Sequence, residues 1–484
     1  MEDIDFKNNI RGIDGKFTES QLKLIDAFDK WYADKDDLVF TIAGEAGTGK
    51  TYMVNHIIRH CVKGRAVVTA PTHQAVRVIS QMTHTIGKTI HSLHGLRPNY
   101  NLDNFDINNV QFHSLGEVKF GSYNIIFIDE CGQIGEKLHS FNMQRAKIYH
   151  TKIVYIGDPL QLSPINEVHS KTFSIKNVFN LIEVVRQDKD NPLFNVLDLL
   201  REDVKKGSSK FLNYIYKNKT AINDRGEGYL TVNRNDFSIL TTEYFKSSNF
   251  SKDLQYARYT AYTNSNIVKW NRYIRNIILD NPTEIIDSND VFTSYQTIVD
   301  SYYKPIIINS EDYIIDSFDS RVSDDGFKCF NIAFKSTYSN YPSNVSIVDH
   351  THSTFKYYYN IISSLHYKAI YARPSYKGRA WKDYYTFKTN HISMLDFNIT
   401  DRDTGRIRAF VKKDIDYGYG LTIHKLQGST VENIFINLRD ICYYKGNVRF
   451  PRVNTVNNPN AIDTRNRLMY TAISRASKKA IILY

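Results

Sequence analysis

Apolar positions along this chain keep two rhythms. Short, nearly unbroken apolar runs stand at Leu38-Val39-Phe40-Thr41-Ile42-Ala43, Ala66-Val67-Val68-Thr69-Ala70, Asn124-Ile125-Ile126-Phe127-Ile128 and Lys152-Ile153-Val154-Tyr155-Ile156. Bounded by glycine, proline or acids, such runs predict strands buried on both faces, as in a parallel sheet. Between them apolar residues return every three or four positions, as in Tyr52-Met53-Val54-Asn55-His56-Ile57-Ile58, the spacing of a helix with one buried stripe. Alternating strand and helix predict an α/β domain built on a parallel sheet.

Ahead of the first strand, Phe17-Thr18-Glu19-Ser20-Gln21 opens an amphipathic helix through Trp31, with Leu22, Leu24, Ile25 and Phe28 expected on its apolar face. Thr18 can cap it and Gln21, three residues on, completes a capping box. The same amide has the donor and acceptor that match the edge of adenine, so Gln21 has two open roles. The α/β rhythm carries on through Leu181-Ile182-Glu183-Val184-Val185, expected to end a strand at Arg186 and to close the first domain. It returns at Arg258-Tyr259-Thr260-Ala261, with a helix expected over 267–279, then at Asn433–Leu438 and Ala480–Leu483. These runs form a second α/β unit. Residues 285–412 differ, with short alternating strands, many Tyr and Ser, and a basic Tyr376-Lys377-Gly378-Arg379-Ala380-Trp381-Lys382 segment; they read as a β-rich insertion. The polar stretch 97–121 reads as a hairpin excursion, and the Asn-rich stretch 440–466 as a surface loop.

Gly44-Glu45-Ala46-Gly47-Thr48-Gly49-Lys50-Thr51 lies between the first strand and the first long helical run, and fits the phosphate-binding pattern G-x-x-x-x-G-K-[ST]. Glycines let several N–H groups face one point, and the helix N-terminus adds positive potential there. Lys50 would reach the β- and γ-phosphates and Thr51 would hold Mg²⁺. Ile128-Asp129-Glu130 ends an apolar strand in two acids, Asp129 for metal and Glu130 to orient or deprotonate water. Gln161, after the next strand, is placed to sense a γ-phosphate. Arg475, near the C-terminal end, carries a planar fork able to bridge phosphate oxygens. Pro71, Thr72 and His73 follow a strand on the side where ligands gather in open parallel sheets, although a plain β–α turn has the same pattern. His91 and His94 have ligand-like spacing but no neighbouring Cys or carboxylate, which argues against a metal site.

With 484 residues the chain has room for two or more domains, and a net charge of +11 suits a polyanionic partner. Aromatic residues reach 13 %, so many rings lie near the surface, where bases could stack on them. The cysteines, Cys61, Cys131, Cys329 and Cys442, show no paired spacing, which argues against a zinc site or a disulfide framework and suits a reducing compartment. Neither a signal core nor an apolar run long enough for a membrane span is evident, so a soluble, cytoplasmic protein without membrane contact is expected.

Taken in order, these segments resemble the superfamily 1 helicases of the 5′→3′ branch, the Dda-like and RecD-like enzymes. The stretches that carry the resemblance most specifically are His424-Lys425-Leu426-Gln427-Gly428-Ser429-Thr430 and Tyr470-Thr471-Ala472-Ile473-Ser474-Arg475-Ala476. It implies two RecA-like P-loop motor domains, the first at 1–96 with 122–180 and the second at 181–284 with 413–484. A fork hairpin at 97–121 would be inserted in the first. A β-rich SH3-like subdomain with a protruding arm, 285–412, would be inserted in the second. ATP would be bound by Gln21, Gly44, Ala46, Gly47, Thr48, Gly49, Lys50, Thr51, Asp129 and Glu432, with Mg²⁺ on Thr51 and Asp129. Lys50, Glu130, Gln161, Arg186 and Arg475 would be catalytic. Single-stranded DNA would lie on Pro71, Thr72, His73, His91, Thr263, Asn264, His424 and Thr430. Phe105, with Tyr100 second, would be the fork wedge, and Trp381 would stand in the arm as a base-stacking ring. The resemblance implies an ATP-dependent helicase moving 5′→3′ on single-stranded DNA and opening forks, a monomer with a single-strand-binding protein among its expected partners. A translocase that strips proteins without unwinding, and a non-catalytic DNA-binding scaffold, are the alternatives.

Overall fold

The structure is a computed structural model that describes residues 17–98, 112–114, 117–164, 167–185, 190–299, 305–336, 339–400, 405–444, 447–448 and 459–484. It divides into two compact units, one of residues 1–95, 116–267 and 421–484, the other of 96–115 and 268–420.

The first unit contains two six-stranded sheets. In one, the strand order is Gly87–Thr89, Ala66–Ala70, Ile125–Ile128, Lys152–Gly157, Val39–Gly44, Val178–Leu181, all parallel. Both faces are covered, which is why its strands read as unbroken apolar runs. On one face Leu24, Ile25, Phe28 and Trp31 of helix Glu19–Ala33 pack with Phe40, Met53 and Ile57; on the other, Ile90, Phe120 and Ala146 pack with Ile126 and Tyr155. The buried stripe of the first helix runs Gln21, Leu24, Ile25, Phe28, Trp31, a 3–4 spacing that Leu22 does not share. Leu22 is exposed, against expectation. The strand expected to run to Arg186 ends at Leu181, where it pairs with Gly44 at the sheet edge. Arg186 itself lies outside the described residues.

The other sheet of this unit has the order Gly420–Thr422, Ala257–Ala261, Val431–Asn437, Ala476–Leu483, Gly228–Val232, Thr220–Ile222. Its central pairs are parallel, and Thr220–Ile222 closes the edge antiparallel. Helices Leu193–Lys206, Lys210–Lys217 and Pro459–Ile473 cover it through Val196, Leu200, Phe211, Leu468 and Ala472. The Asn-rich stretch expected to be a loop holds helix Leu438–Cys442, a two-stranded pair at Tyr443–Tyr444 and Asn447–Val448, and the start of helix Pro459–Ile473.

In the second unit an antiparallel sheet runs in the order Ser339–Val348, Lys328–Ser336, Asp312–Val322, Val291–Ser294, Ile415–Tyr417. Its last strand lies past the boundary expected at 412. The basic segment is not β structure either. Helices Phe355–Tyr371 and Pro374–Asn390 form a hairpin, with Pro374 in the first turn of the second, where its missing N–H costs nothing. Together with the strand pair Phe397–Thr400 and Ile407–Val411, they bury Phe327, Tyr358, Ile362, Trp381 and Val411 against the sheet. Trp381 is only 3 % exposed, edge-on to His366 and Tyr384. It is a core residue, and its buried ring is not available to stack on a base as expected. Buried ion pairs tie this unit together, among them Arg275 gripping Asp290 with Nε and Nη2, both at 2.8 Å, and Lys388 meeting Asp414 at 2.7 Å. Leu96–Pro98 pairs antiparallel with Phe112–Ser114. Tyr100 and Phe105, between these strands in sequence, lie outside the described residues.

Candidate nucleotide site and strand-binding residues

The phosphate loop joins strand Val39–Gly44 to helix Lys50–His60. Gly49 is left-handed (φ 78°), a conformation strained for any residue with a Cβ, and a Cβ there would stand 2.9 Å from Gln21 Nε2. Gln21 fills both halves of the capping box: its Oε1 accepts from the Thr18 N–H at 3.1 Å, and its own N–H donates to Thr18 Oγ1 at 3.3 Å. Its Nε2 at the same time abuts the loop, so the helix cap fixes the amide beside the phosphate site. Lys50 Nζ lies across the loop, donating to the carbonyls of Gly44 (2.7 Å) and Glu45 (3.0 Å).

Asp129 and Glu130 follow strand Ile125–Ile128. Glu130 takes a left-handed conformation (φ 51°), costly for a side chain with a Cβ, and its N–H donates to Asp129 Oδ1 at 2.8 Å. Burial and the Glu130 charge push the Asp129 carboxyl up to about 7, against the opposing pull of Lys50 and Arg475. The acids and both cations therefore share one electrostatic environment. Thr51 and Asp129 are hard oxygen donors of the kind that suits Mg²⁺.

The second sheet's elements reach this site directly. Gln427 Nε2 lies 3.3 Å from Glu130 Oε2 and 3.4 Å from Gln161 Oε1. Gly428 (φ 83°) lets the loop pass close by, since a Cβ there would lie 3.5 Å from Glu130 Oε1. Gln161 Nε2 donates to Asp158 Oδ2 at 3.3 Å. That oxygen also accepts from the Tyr470 hydroxyl at 2.8 Å, and the Tyr470 oxygen accepts from the Ala46 N–H at 3.1 Å. Arg201 donates to the Ala46 carbonyl at 2.9 Å and pairs with Glu45 at 2.8 Å. Arg467 donates to the carbonyls of Pro159 (2.6 Å) and Gln161 (2.9 Å). Arg475 is buried, its guanidinium held by the Ser429 carbonyl (3.3 Å) and Ser474 Oγ (3.1 Å). Glu432 pairs instead with Lys478 at 2.9 Å.

Asp158, Arg201, Gln427, Arg467 and Tyr470 were not singled out by the sequence. Gln427 and Tyr470 stand inside its two most specific stretches, which is the signal they offered. Arg201 offered none.

Of the expected strand-binding residues, Thr72 caps helix His73–Thr83 by accepting from the Ala75 N–H at 3.3 Å, leaving Pro71 and His73 at the turn. Burial lowers the affinity of His73 and His91 for a proton, and the charge of His91 adds to the effect on His73. Thr263 donates through N–H (2.6 Å) and Oγ1 (2.8 Å) to Asp440, which also accepts from Asn266 at 2.6 Å. This buried carboxylate, from the stretch expected to be a loop, fixes the Thr263 turn. Asn264, His424 and Thr430 are exposed, with the His424 ring 6.1 Å from Tyr262. Among the described residues no cluster of three His, Cys, Asp or Glu side chains could hold a metal alone, and no helix is long and apolar enough to cross a membrane.

A phosphate loop and an acid-ended strand on one parallel sheet, with arginine, tyrosine and glutamine arriving from a second, define a P-loop nucleoside triphosphatase with two RecA-like cores. Residues 17–218 match the family model described as AAA domain. The chain is 24 % identical to an uncharacterized protein of Acanthamoeba polyphaga mimivirus, over 91 % of this chain and 94 % of that one. It is 27 % identical to the ATP-dependent DNA helicase dda of Enterobacteria phage T4, over 51 % of this chain and 54 % of that one. Among solved structures, a Pif1 helicase from Bacteroides in complex with ADP-AlF3 and ssDNA aligns with 96 % of this chain and 92 % of its own, at 13 % identity and a TM-score of 0.48.

Proposed function

We propose that this protein is an ATP-dependent DNA helicase that moves 5′→3′ along single-stranded DNA and separates the duplex ahead of it. The observation that carries the reading is the Ala46–Tyr470–Asp158 bridge, with Gln427 on Glu130 beside it: elements of the second core close directly on the phosphate loop and on the acids of the first. A nucleotide held there feels both cores, so its γ-phosphate can gate their separation.

In this reading the loop N–H groups and Lys50 hold the phosphates, Lys50 leaving its present carbonyl partners to do so. Glu130 takes the proton of the attacking water, Gln161 and Gln427 orient it, and Arg475 meets the charge spreading over the transferred group. Arg186 is a second candidate for that last role. Thr51 and Asp129 would hold Mg²⁺, which supplies charge neutralisation on the phosphate oxygens. Pro71, Thr72, His73, His91, Thr263, Asn264, His424 and Thr430 would hold the strand. In this reading His73 and His91, whose affinity for a proton burial lowers, would meet bases more readily than phosphates.

The test uses two matched forks, one with only a 5′ single-stranded tail and one with only a 3′ tail, with ATP and Mg²⁺. Opening of the 5′-tailed fork alone is expected. Opening of the 3′-tailed fork alone would reverse the polarity. DNA-stimulated ATP hydrolysis with neither fork opened would leave a translocase.

A further inference from the structure

In the second unit, helix Phe355–Tyr371 buries the stripe Tyr358, Ile362, His366 and Ala369 and turns the opposite stripe, with Tyr367, Lys368 and Tyr371, to solvent. Tyr367 and Tyr371 are each 55 % exposed, one helical turn apart, with ring centroids 4.5 Å from each other. Arg408, on the neighbouring strand Ile407–Val411, sets its guanidinium 5.8 Å from the first ring and 5.3 Å from the second, and donates to the Tyr371 hydroxyl. Two broad rings thus stand in water, fixed by a planar cation instead of being packed into a core. Around them the charge is one-sided: residues 355–390 carry seven Lys and Arg against one acid, Asp383. Only Lys388 among the seven is buried, against Asp414.

We infer that Tyr367, Tyr371 and Arg408 form a stacking platform for single-stranded DNA, separate from the strand-binding residues of the motor cores. Flat exposed rings beside a guanidinium match unpaired bases, and the surrounding cations match the phosphates between them. Duplex DNA hides its base faces, and an acidic peptide would meet the cations but offer the rings no flat partner. The inference rests on the reading of this chain as a DNA motor, but it concerns a surface that ATP turnover does not require.

The experiment measures binding of the full chain to a short oligothymidylate, about 8 nucleotides, and to one several times longer, since one binding fold spans about 4–16 nucleotides. The double variant Tyr367→Ala, Tyr371→Ala is expected to bind the long strand about 5- to 150-fold more weakly, the usual range for one lost base stack. Its affinity for the short strand, and the ATP hydrolysis that strand stimulates, stay at the wild-type level. Phenylalanine at both positions restores long-strand binding. An iodouracil-containing long strand should photocrosslink to the peptide carrying Tyr367 and Tyr371. Equal weakening on both lengths, unchanged binding of the long strand, or a preference of the platform for RNA overturns the inference. So does a loss seen only for Arg408→Ala and Lys368→Ala, which would mark a phosphate contact alone. If DNA fails to stimulate ATP hydrolysis while the tyrosine variant still loses long-strand affinity, the motor reading falls and the platform stands.

Discussion

The hydroxyl of Tyr470 makes the sharpest test of the nucleotide site. Tyr470→Phe removes one oxygen and changes no other group. In the wild type that oxygen accepts from the Ala46 N–H at 3.1 Å and donates to Asp158 Oδ2 at 2.8 Å, with Tyr470 fully buried. Its loss leaves a buried N–H without this acceptor, a cost of about 1–3 kcal/mol, and deprives a carboxylate of one donor, where charged hydrogen bonds contribute roughly 1.5–3 kcal/mol. Asp158 keeps the Leu160 N–H at 2.9 Å and Gln161 Nε2 at 3.3 Å, so part of the second cost is absorbed. A net penalty of about 2–3 kcal/mol on the closed arrangement follows, or roughly 30- to 150-fold. The assay is steady-state ATP hydrolysis with saturating single-stranded DNA, beside denaturant unfolding of the same variant. We expect kcat/KM for ATP to fall by that factor while affinity for single-stranded DNA without nucleotide holds. A kcat/KM within threefold of wild type would refute the bridge as part of the working site. So would a loss of DNA affinity equal to the loss in kcat/KM, since that would mean general damage.

Arg475→Ala should lower DNA-stimulated turnover by about 10³–10⁵ with ATP-analogue binding largely kept, if Arg475 meets the transition state; a loss below tenfold would assign that role elsewhere. Asp290→Asn leaves Arg275 buried opposite a neutral amide, and breaking such a pair costs about 3–5 kcal/mol, read as a lower denaturation midpoint. His56, His94 and His366 are each lowered by burial from 6.5 to about 4, so the folded state resists protons that the unfolded chain accepts. Their contribution is complete above 6.5 and drains away as pH falls toward 4, by roughly 2 kcal/mol per histidine at pH 5. A denaturation midpoint flat from pH 7 to 5 would contradict it.

The phosphate loop and the acid-ended strand were legible because their chemistry is local. Gly49, Lys50, Asp129 and Glu130 each act within a few residues of a strand end, and buried parallel strands announce themselves as apolar runs. Gln21 was legible as a cap for the same reason. What was not legible spans long sequence separations: Arg201 meets Ala46, and Tyr470 meets Ala46 and Asp158, through folding of distant segments. Trp381 was misread because Tyr376-Lys377-Gly378-Arg379 has the composition of a basic turn. Pro374 begins a helix there, and the hairpin it completes turns the tryptophan inward. Composition could not tell which rings of this insertion are buried and which are exposed.

The second core's sheet has a consequence for how the protein is made. Ala476–Leu483 lies between Val431–Asn437 and Gly228–Val232, so Gly228–Val232 lacks its parallel neighbour until roughly 240 further residues have been translated. At about 5–20 residues per second that is a wait on the order of 10–50 s, with a sheet edge open to wrong partners. The first core needs nothing beyond Leu181 for its strands and can fold early. A ribosome carrying this half-made chain therefore displays a finished phosphate loop before Tyr470, which meets that loop at the Ala46 N–H, has been made.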